Sequence, residues 1–420
     1  MRTILRVSVA ALAVSTALTL ASCGRSDTPA AKDTAAAAVS AGKATGTIKV
    51  WAMGTEGEKL GEFAKAFTKA NPDAKVEVTA IPWDAAHDKI STAIAANTGP
   101  DVSMIGTTNM AEFAAAKALD PTPTVVKAAS FFPGAWGSTV VGGVSYGVPF
   151  YVETRVLYTN NAVAKKAGVS PEPQTWQDLT TTTAALQKAG ATWGTTVQAG
   201  KTGAWQTLMP FAWQAGAQLT STNGKKITID TPAFVSALKY YQSFFTAGIA
   251  PKELPEGTTE TDFAAGKIGS LISGPWTIGT LNDAGYKDFT VAPLPKGKKL
   301  ASFIGGADLA VFKSSKNRDS AWKFVQWLSE PATQAAWYTA VKDLPAVPAA
   351  WKSGDLATDP QLKVFGTQLK TAVAPPAIPN WEQIAAVIDT DLEKVCKSGL
   401  DPQEAATDMQ KQAEAIGTGL

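Results

Sequence analysis

Between residues 47 and 118 the chain alternates strand and helix three times, and this alternation is the strongest limit on the folds open to it. Ile48, Val50 and Trp51 read as a buried strand. Leu60, Phe63, Ala64 and Phe67 then fall at i, i+3, i+4 and i+7, the stripe of an amphipathic helix, which Asn71-Pro72 stops. Val76, Val78 and Ala80 alternate as a second strand closed by Pro82, and a helix is expected over 84–97 before Gly99-Pro100 breaks it. A third strand is expected over 101–105, followed by a helix through Phe113 to residue 118. Such an order predicts a mostly parallel sheet covered by helices on both faces. Ligands of these sheets lie beyond the carboxyl ends of the strands, which singles out the loops 53–58, 81–84 and 106–109.

A second α/β pattern begins after Tyr158. Thr175-Trp176-Gln177-Asp178 has the spacing of a capping box, with Asp in place of the usual Glu or Gln. Thr231-Pro232 opens another helix, whose stripe is Phe234, Leu238, Tyr241 and Phe245 and whose end is Gly248. Residues 268–272 read as a strand leading into Ser273-Gly274-Pro275-Trp276. Residues 303–312 read as a strand interrupted by Gly305-Gly306, and 319–328 as an amphipathic helix. About 400 residues follow the leader described next, more than one core usually serves, so two domains are expected.

The leader has Arg2 and Arg6 before an uncharged, largely apolar run over 7–20, then Leu20-Ala21-Ser22-Cys23. This is the layout of an export signal, too short to stay as a membrane-spanning helix. The ending looks like a bacterial lipobox, with residues 1–22 removed and Cys23 acylated. The other reading is a plain secretory signal with Cys23 incidental. Residues 23–45 carry no periodic apolar pattern and read as a disordered spacer. The expected location is the extracytoplasmic face of the cell membrane, held by lipid. Cys396 then has no intrachain partner and reads as a buried structural thiol.

A net charge of +2 gives no reason to expect nucleic acid. A single histidine, His87, removes Ser-His-Asp, Cys-His and multi-His zinc chemistry; no cofactor or metal is expected. Trp83, His87, Ile90 and Ile94 share one helix stripe, so His87 reads as a packed, hydrogen-bonded residue. Thirteen Trp residues point to something positive, because the C–H face of a pyranose stacks on a flat apolar plate.

Val50-Trp51, Gly57-Glu58-Lys59-Leu60, Phe67, Asn71-Pro72, Pro100-Asp101-Val102, Tyr146-Gly147-Val148-Pro149, Ser273-Gly274-Pro275-Trp276 and Gly305-Gly306 occur in that order. This set resembles the sugar-binding lipoproteins of ABC importers, the family-1 extracellular solute-binding proteins of maltose-binding-protein type. The resemblance implies a two-lobed periplasmic-binding-protein-like α/β fold. Each lobe would be a mostly parallel sheet flanked by helices, joined by crossover segments at a hinge. Crossings are expected at 152–158, near 303–306 and near 344–347. Lobe 1 is then 46–153 with 306–343, and lobe 2 is 154–305 with 344–420. The implied function is a non-enzymatic, monomeric receptor that closes on a di- or oligosaccharide and delivers it to a membrane permease. The sequence lacks a Gly-x-x-x-x-Gly-Lys-Ser/Thr phosphate loop, so a separate ATPase is implied. An exported glycoside hydrolase, which needs only paired carboxylates, is the alternative in another class. A receptor for a non-sugar solute is the third.

Trp276 follows Gly-Pro at a strand end, where the turning backbone exposes the next side chain; in the resembling family this Trp stacks on sugar. Trp205 lies where the family carries an aromatic on the sugar. Trp213 is eight residues on, so the two either form plates or pack one side of a helix. Hydroxyls need fixed polar partners, and Glu56, Asp84, Glu153 and Arg155 are candidates. Asp84 serves either as a ligand group or as the N-cap of its helix. Glu153 and Arg155 share a strand face and form either a sugar clamp or an interlobe salt bridge. Thr107 and Thr108 end the third strand where hydroxyls can meet a ligand. Gly305 and Gly306 either allow close backbone approach or mark a bulge. Asp308 faces solvent or joins the hinge network.

Overall fold

Three parallel strands set one half of the molecule. In the computed structural model, which describes residues 36–200, 203–255 and 257–420, β1 (Gly46–Met53) pairs in parallel with β2 (Ala74–Ile81) and β3 (Val102–Gly106). Val50, Ala52 and Met53 are fully buried, as a central strand requires. Edge strand β2 keeps the half-buried alternation that its sequence shows. Helices Gly54–Phe63, Trp83–Ala96 and Met110–Ala115 follow the three strands in turn. Their carboxyl ends therefore open on one edge, at Gly54, Pro82-Trp83 and Thr107.

Beyond β3 the sheet changes direction. After a small ribbon of β4 (Val140–Val141) and β5 (Val144–Ser145), β6 (Val148–Thr154) runs into β7 (Val156–Asn160) with Arg155 alone between them. β7 belongs to a second sheet, where it lies between β8 (Ser270–Ser273) and β9 (Phe289–Ala292), antiparallel to both. The chain returns in β10 (Ser302–Val311), antiparallel to β3 and β6. β11 (Leu344–Pro345) pairs with β6, and β12 (Ala372–Val373) with β10. The first sheet is ordered β11-β6-β10-β3-β1-β2.

This is the mixed α/β, two-lobed fold expected, with one correction. A mostly parallel sheet in each lobe holds only for β2-β1-β3. The neighbour of β3 is a strand coming back from the other half, so it runs the opposite way, and the second sheet is antiparallel around β7. Leu344 and Pro345, expected at a crossing, remain bound to Val152 and Tyr151 of the first sheet. β6 and β10 are stitched where they leave that sheet. The Thr154 hydroxyl donates to the Phe303 carbonyl at 2.6 Å, and Ser302 donates to the Arg155 carbonyl at 2.7 Å.

Cys23 and the leader lie outside the described residues. The last part of the expected spacer does not behave as one. Arg318 donates to the carbonyls of Ala37 and Ala38, the Ser40 amide to Asp319, and the Ala44 amide to Asn71. Ala44 is fully buried. Backbone groups, invisible to a reading of side-chain periodicity, make these bonds. Cys396 is buried, and its thiol is pushed up to about 12 by burial. His87 is hydrogen-bonded, with Nε2 3.0 Å from Glu112, but its side chain is 46% exposed, and only Ile90 of its stripe is fully packed.

Five of the thirteen tryptophans are buried in core, and six more pack against it partly buried. Trp322, Trp337 and Trp381 are among the largest fully buried side chains. One core surrounds the first sheet, and another surrounds Trp205, Phe211, Tyr241 and Trp381.

Asp308, on β10, is 1% exposed, so it does not face solvent, and the Ser138 hydroxyl donates to it at 3.2 Å. Burial pushes its carboxyl up to about 8, the Ser138 bond opposing. A carboxyl raised in the folded state favours folding while it keeps its proton, so this contribution is present below its unfolded pKa and is lost as pH rises toward 8. Melting should therefore show stability falling between about pH 5 and 8, and Asp308→Asn should remove roughly 3–4 kcal/mol of that fall. An unchanged slope in the variant would mean that Asp308 ionises without cost.

Candidate functional site

On the second half, the site is built where β8 ends. Ser273 leads through Gly274-Pro275 to Trp276, which starts a helix and is 47% exposed. The Tyr158 hydroxyl fixes this turn by donating to the Gly274 carbonyl at 2.6 Å. A Cβ on Gly274 would stand 2.1 Å from the Trp276 ring, so only glycine lets the indole lie there. The Arg155 guanidinium sits 4.8 Å from the Trp276 ring centroid and 5.1 Å from that of Phe303. Arg155 is 7% exposed. Its Nη2 donates to Gln206 Oε1 at 2.7 Å, and Nη1 reaches Glu153 only at 3.4 Å. Nη1 is buried and makes no hydrogen bond. A cavity of about 540 Å³ opens here, lined by Arg155, Gln198, Gln206, Glu260, Trp276 and others.

Gln206 also lines a second cavity of about 380 Å³, which contains Trp205 and Thr108. Thr108 comes from the loop after β3, so this groove takes walls from both halves. Trp205 opens the helix Trp205–Ala215 rather than lying in a loop, and it is 3% exposed. Its ring meets Phe303 and Trp381 edge-on. Asp389 holds this helix start, accepting from the amides of Gly203 and Trp205 at 2.7 Å each. Burial raises the Asp389 carboxyl more than these two bonds lower it.

On the first half, Glu56 lies in the first turn of its helix and is 7% exposed. Its carboxyl is raised by burial, against hydrogen bonds from the backbone and from Tyr151. Asp343 is pushed up to about 7 by burial and by the charge of Glu56, with the Trp337 indole N–H donating to it at 3.0 Å. Thr107 donates its amide to the Gly306 carbonyl at 3.2 Å and lines a small void with Gly305 and Tyr151.

The structure thus brings together Trp276, Arg155 and Glu153, and separately Trp205 and Thr108. Trp213 is 5% exposed in the second core and lines neither cavity; only the first turn of its helix reaches them. Asp84 is exposed in the first turn of Trp83–Ala96; Pro82 takes the N-cap position. Gly305 and Gly306 make close approaches, but to protein. A Cβ on Gly305 would meet Glu153 Oε1 at 2.8 Å, and one on Gly306 the Tyr151 carbonyl at 2.2 Å. The register irregularity lies one residue on, between Ala307 and Asp308. Gln206, Tyr151 and Asp389 escaped the sequence reading. Gln206, one residue past Trp205, was within reach of it. The other two are visible only through contacts distant in sequence.

Residues 52–335 match the model of the bacterial extracellular solute-binding proteins. The chain belongs to that family. It is similar to the sugar-binding protein MalE of Xanthomonas citri, with 31% identity, a TM-score of 0.83, and 88% of this chain and 97% of that one covered. It is 25% identical to the galactooligosaccharide-binding protein of Bacillus subtilis over 95% of this chain and 94% of the relative. It is 26% identical to the sn-glycerol-3-phosphate-binding periplasmic protein of Salmonella typhimurium over 86% and 90% respectively. In this family member Gly305 and Gly306 serve strand packing. Gly306, at φ +122° and against backbone, should be the less replaceable. Gly306→Ala is expected to cost on the order of 2–4 kcal/mol in denaturant melts, more than Gly305→Ala, whose Cβ meets side chains that can shift. Equal costs would refute this ranking.

Proposed function

We propose that this family member is the extracytoplasmic receptor of an ABC sugar importer. It captures a di- or oligosaccharide in the groove between the halves and hands it to a membrane permease driven by a separate ATPase. The observation that carries the reading is the Trp276 indole, half open to a cavity whose rim holds Arg155, Gln206 and Glu260. An apolar plate ringed by fixed polar groups matches the two surfaces of a pyranose. Closure gains population because only the closed state lets one ligand touch both halves. The sugar and oligosaccharide relatives support this ligand class. Lobe limits of 46–153 with 306–343, and 154–305 with 344–420, belong to the same proposal, amended at β11. So do the Glu56, Thr107, Thr108 and Glu153 contacts, monomeric receptor action without catalysis, and acylation of Cys23.

Isothermal titration with maltotriose, galactobiose and diacetylchitobiose tests it. At least one should bind saturably and be recovered unchanged. Trp276→Ala should weaken that binding by about 1–3 kcal/mol through lost aromatic burial. The glycerol phosphate-binding relative, together with the buried Nη1 of Arg155, which makes no hydrogen bond and meets Glu153 only at 3.4 Å, favours a second reading in which the ligand is a phosphorylated polyol. Saturation by glycerol 3-phosphate, with every saccharide silent, would establish that reading and end the first.

A further inference from the structure

Two of the thirteen tryptophans stand open to solvent, Trp276 at 47% and Trp83 at 44% exposure, and Trp83 has no part in the site as described above. Its position is specific. Pro82 ends the turn out of β2, and Trp83 is the first residue of the next helix. From there the ring reaches sideways across the neighbouring strands. Its Nε1 and Cδ1 lie 3.0 and 3.1 Å from where a Cβ on Gly54 would be, just past the end of β1. Its Cζ3 lies 3.6 Å from the corresponding point on Gly106, the last residue of β3. The indole therefore spans the carboxyl ends of two parallel strands, the edge at which such sheets bind ligands. Gly54 takes φ +54°, and a side chain there would crowd the ring. The same point on Gly54 is 3.4 Å from Glu56 Oε2, so a carboxylate flanks the ring.

We infer that Trp83 is the stacking plate of the first half, taking the C–H face of one sugar unit while Glu56 accepts from a hydroxyl at that unit's rim. This inference rests on the saccharide reading and adds a ligand residue to it. Glycines at both strand ends let the ring approach them closely, and the residue keeps 44% of its surface in solvent. The helix buries Ala86, Ile90 and Ala93, whereas Trp83 stays half exposed. An indole left half in water is a cost that ligand burial removes.

The test compares Trp83→Ala, Trp83→Phe, Trp83→Leu and Trp276→Ala by titration with whichever of maltotriose, galactobiose and diacetylchitobiose saturates the parent protein, with thermal melts alongside. Trp83→Ala and Trp83→Leu should each bind about tenfold or more weakly with melting unchanged, and Trp83→Phe should recover most of the loss. Should Trp83→Ala melt low, the contrast between Phe and Leu decides, since a flat ring is what separates them. Parent-like binding by Trp83→Leu, alongside weakened binding by Trp276→Ala, would overturn the inference and leave the saccharide reading standing. Silence of all three saccharides on the parent protein would overturn both.

Discussion

The crossing at Arg155 is the constraint on which the rest of the structure depends. A single residue separates a strand of the first sheet from the central strand of the second. That residue carries a charge, and burying it demands compensation. Phe303 supplies one aromatic face from the returning strand and Trp276 another from the second half, while Gln206 and Glu153 offer oxygens. A buried cation against aromatic rings is stabilised by about 2 kcal/mol or more when desolvated. The compensation is incomplete, because Nη1 keeps a free donor. Under the proposed reading the strand crossing and the ligand wall share these atoms, so occupying one would alter the other.

Glycine makes the complementary surfaces possible. Gly274 lets Trp276 lie against its own turn, and Gly54 and Gly106 let Trp83 cross strand ends. In both places an aromatic ring follows a proline and rests on a chain without side chains. The two halves reach similar surfaces from unlike sheets, one parallel at that edge and one antiparallel. What they share is a strand end followed by a helix start, which is where backbone groups are free to meet a ligand.

The sequence made local features legible and left tertiary ones hidden. The Thr175 capping box and the Thr231 cap are present as their spacing implied, because both are set within four residues. The order of elements through residue 118 was equally readable from periodicity. Strand direction beyond β3 was not, since it depends on which distant strand fills the next place. Tryptophan count misled for a related reason. Trp205 and Trp213 share a helix with the Trp276-type signal of bulk and flatness, but burial is decided by Phe303, Trp381 and neighbours far along the chain. Trp83 is the opposite case: its stripe spoke only for His87, and the two glycines beside its ring lie 29 and 23 residues away in sequence.

Under the proposed reading, acidic groups in the first half would make that wall selective rather than merely sticky. Burial raises the Glu56 carboxyl against a bond from Tyr151, and burial together with the charge of Glu56 raises Asp343. A carboxyl already desolvated loses little more when a ligand covers it, so a hydroxyl that donates to it gains nearly the full bond. An apolar ligand covering the same group would leave it without that partner. Plates alone would accept any flat hydrocarbon; a desolvated acceptor beside a plate admits only a ligand with a donor at its rim. Arg155, with its unused N–H, imposes the converse demand from the hinge, for an acceptor. Under the proposed reading hydroxyls meet both demands at once, which is the physical argument for a polyol over a purely cationic or purely anionic solute.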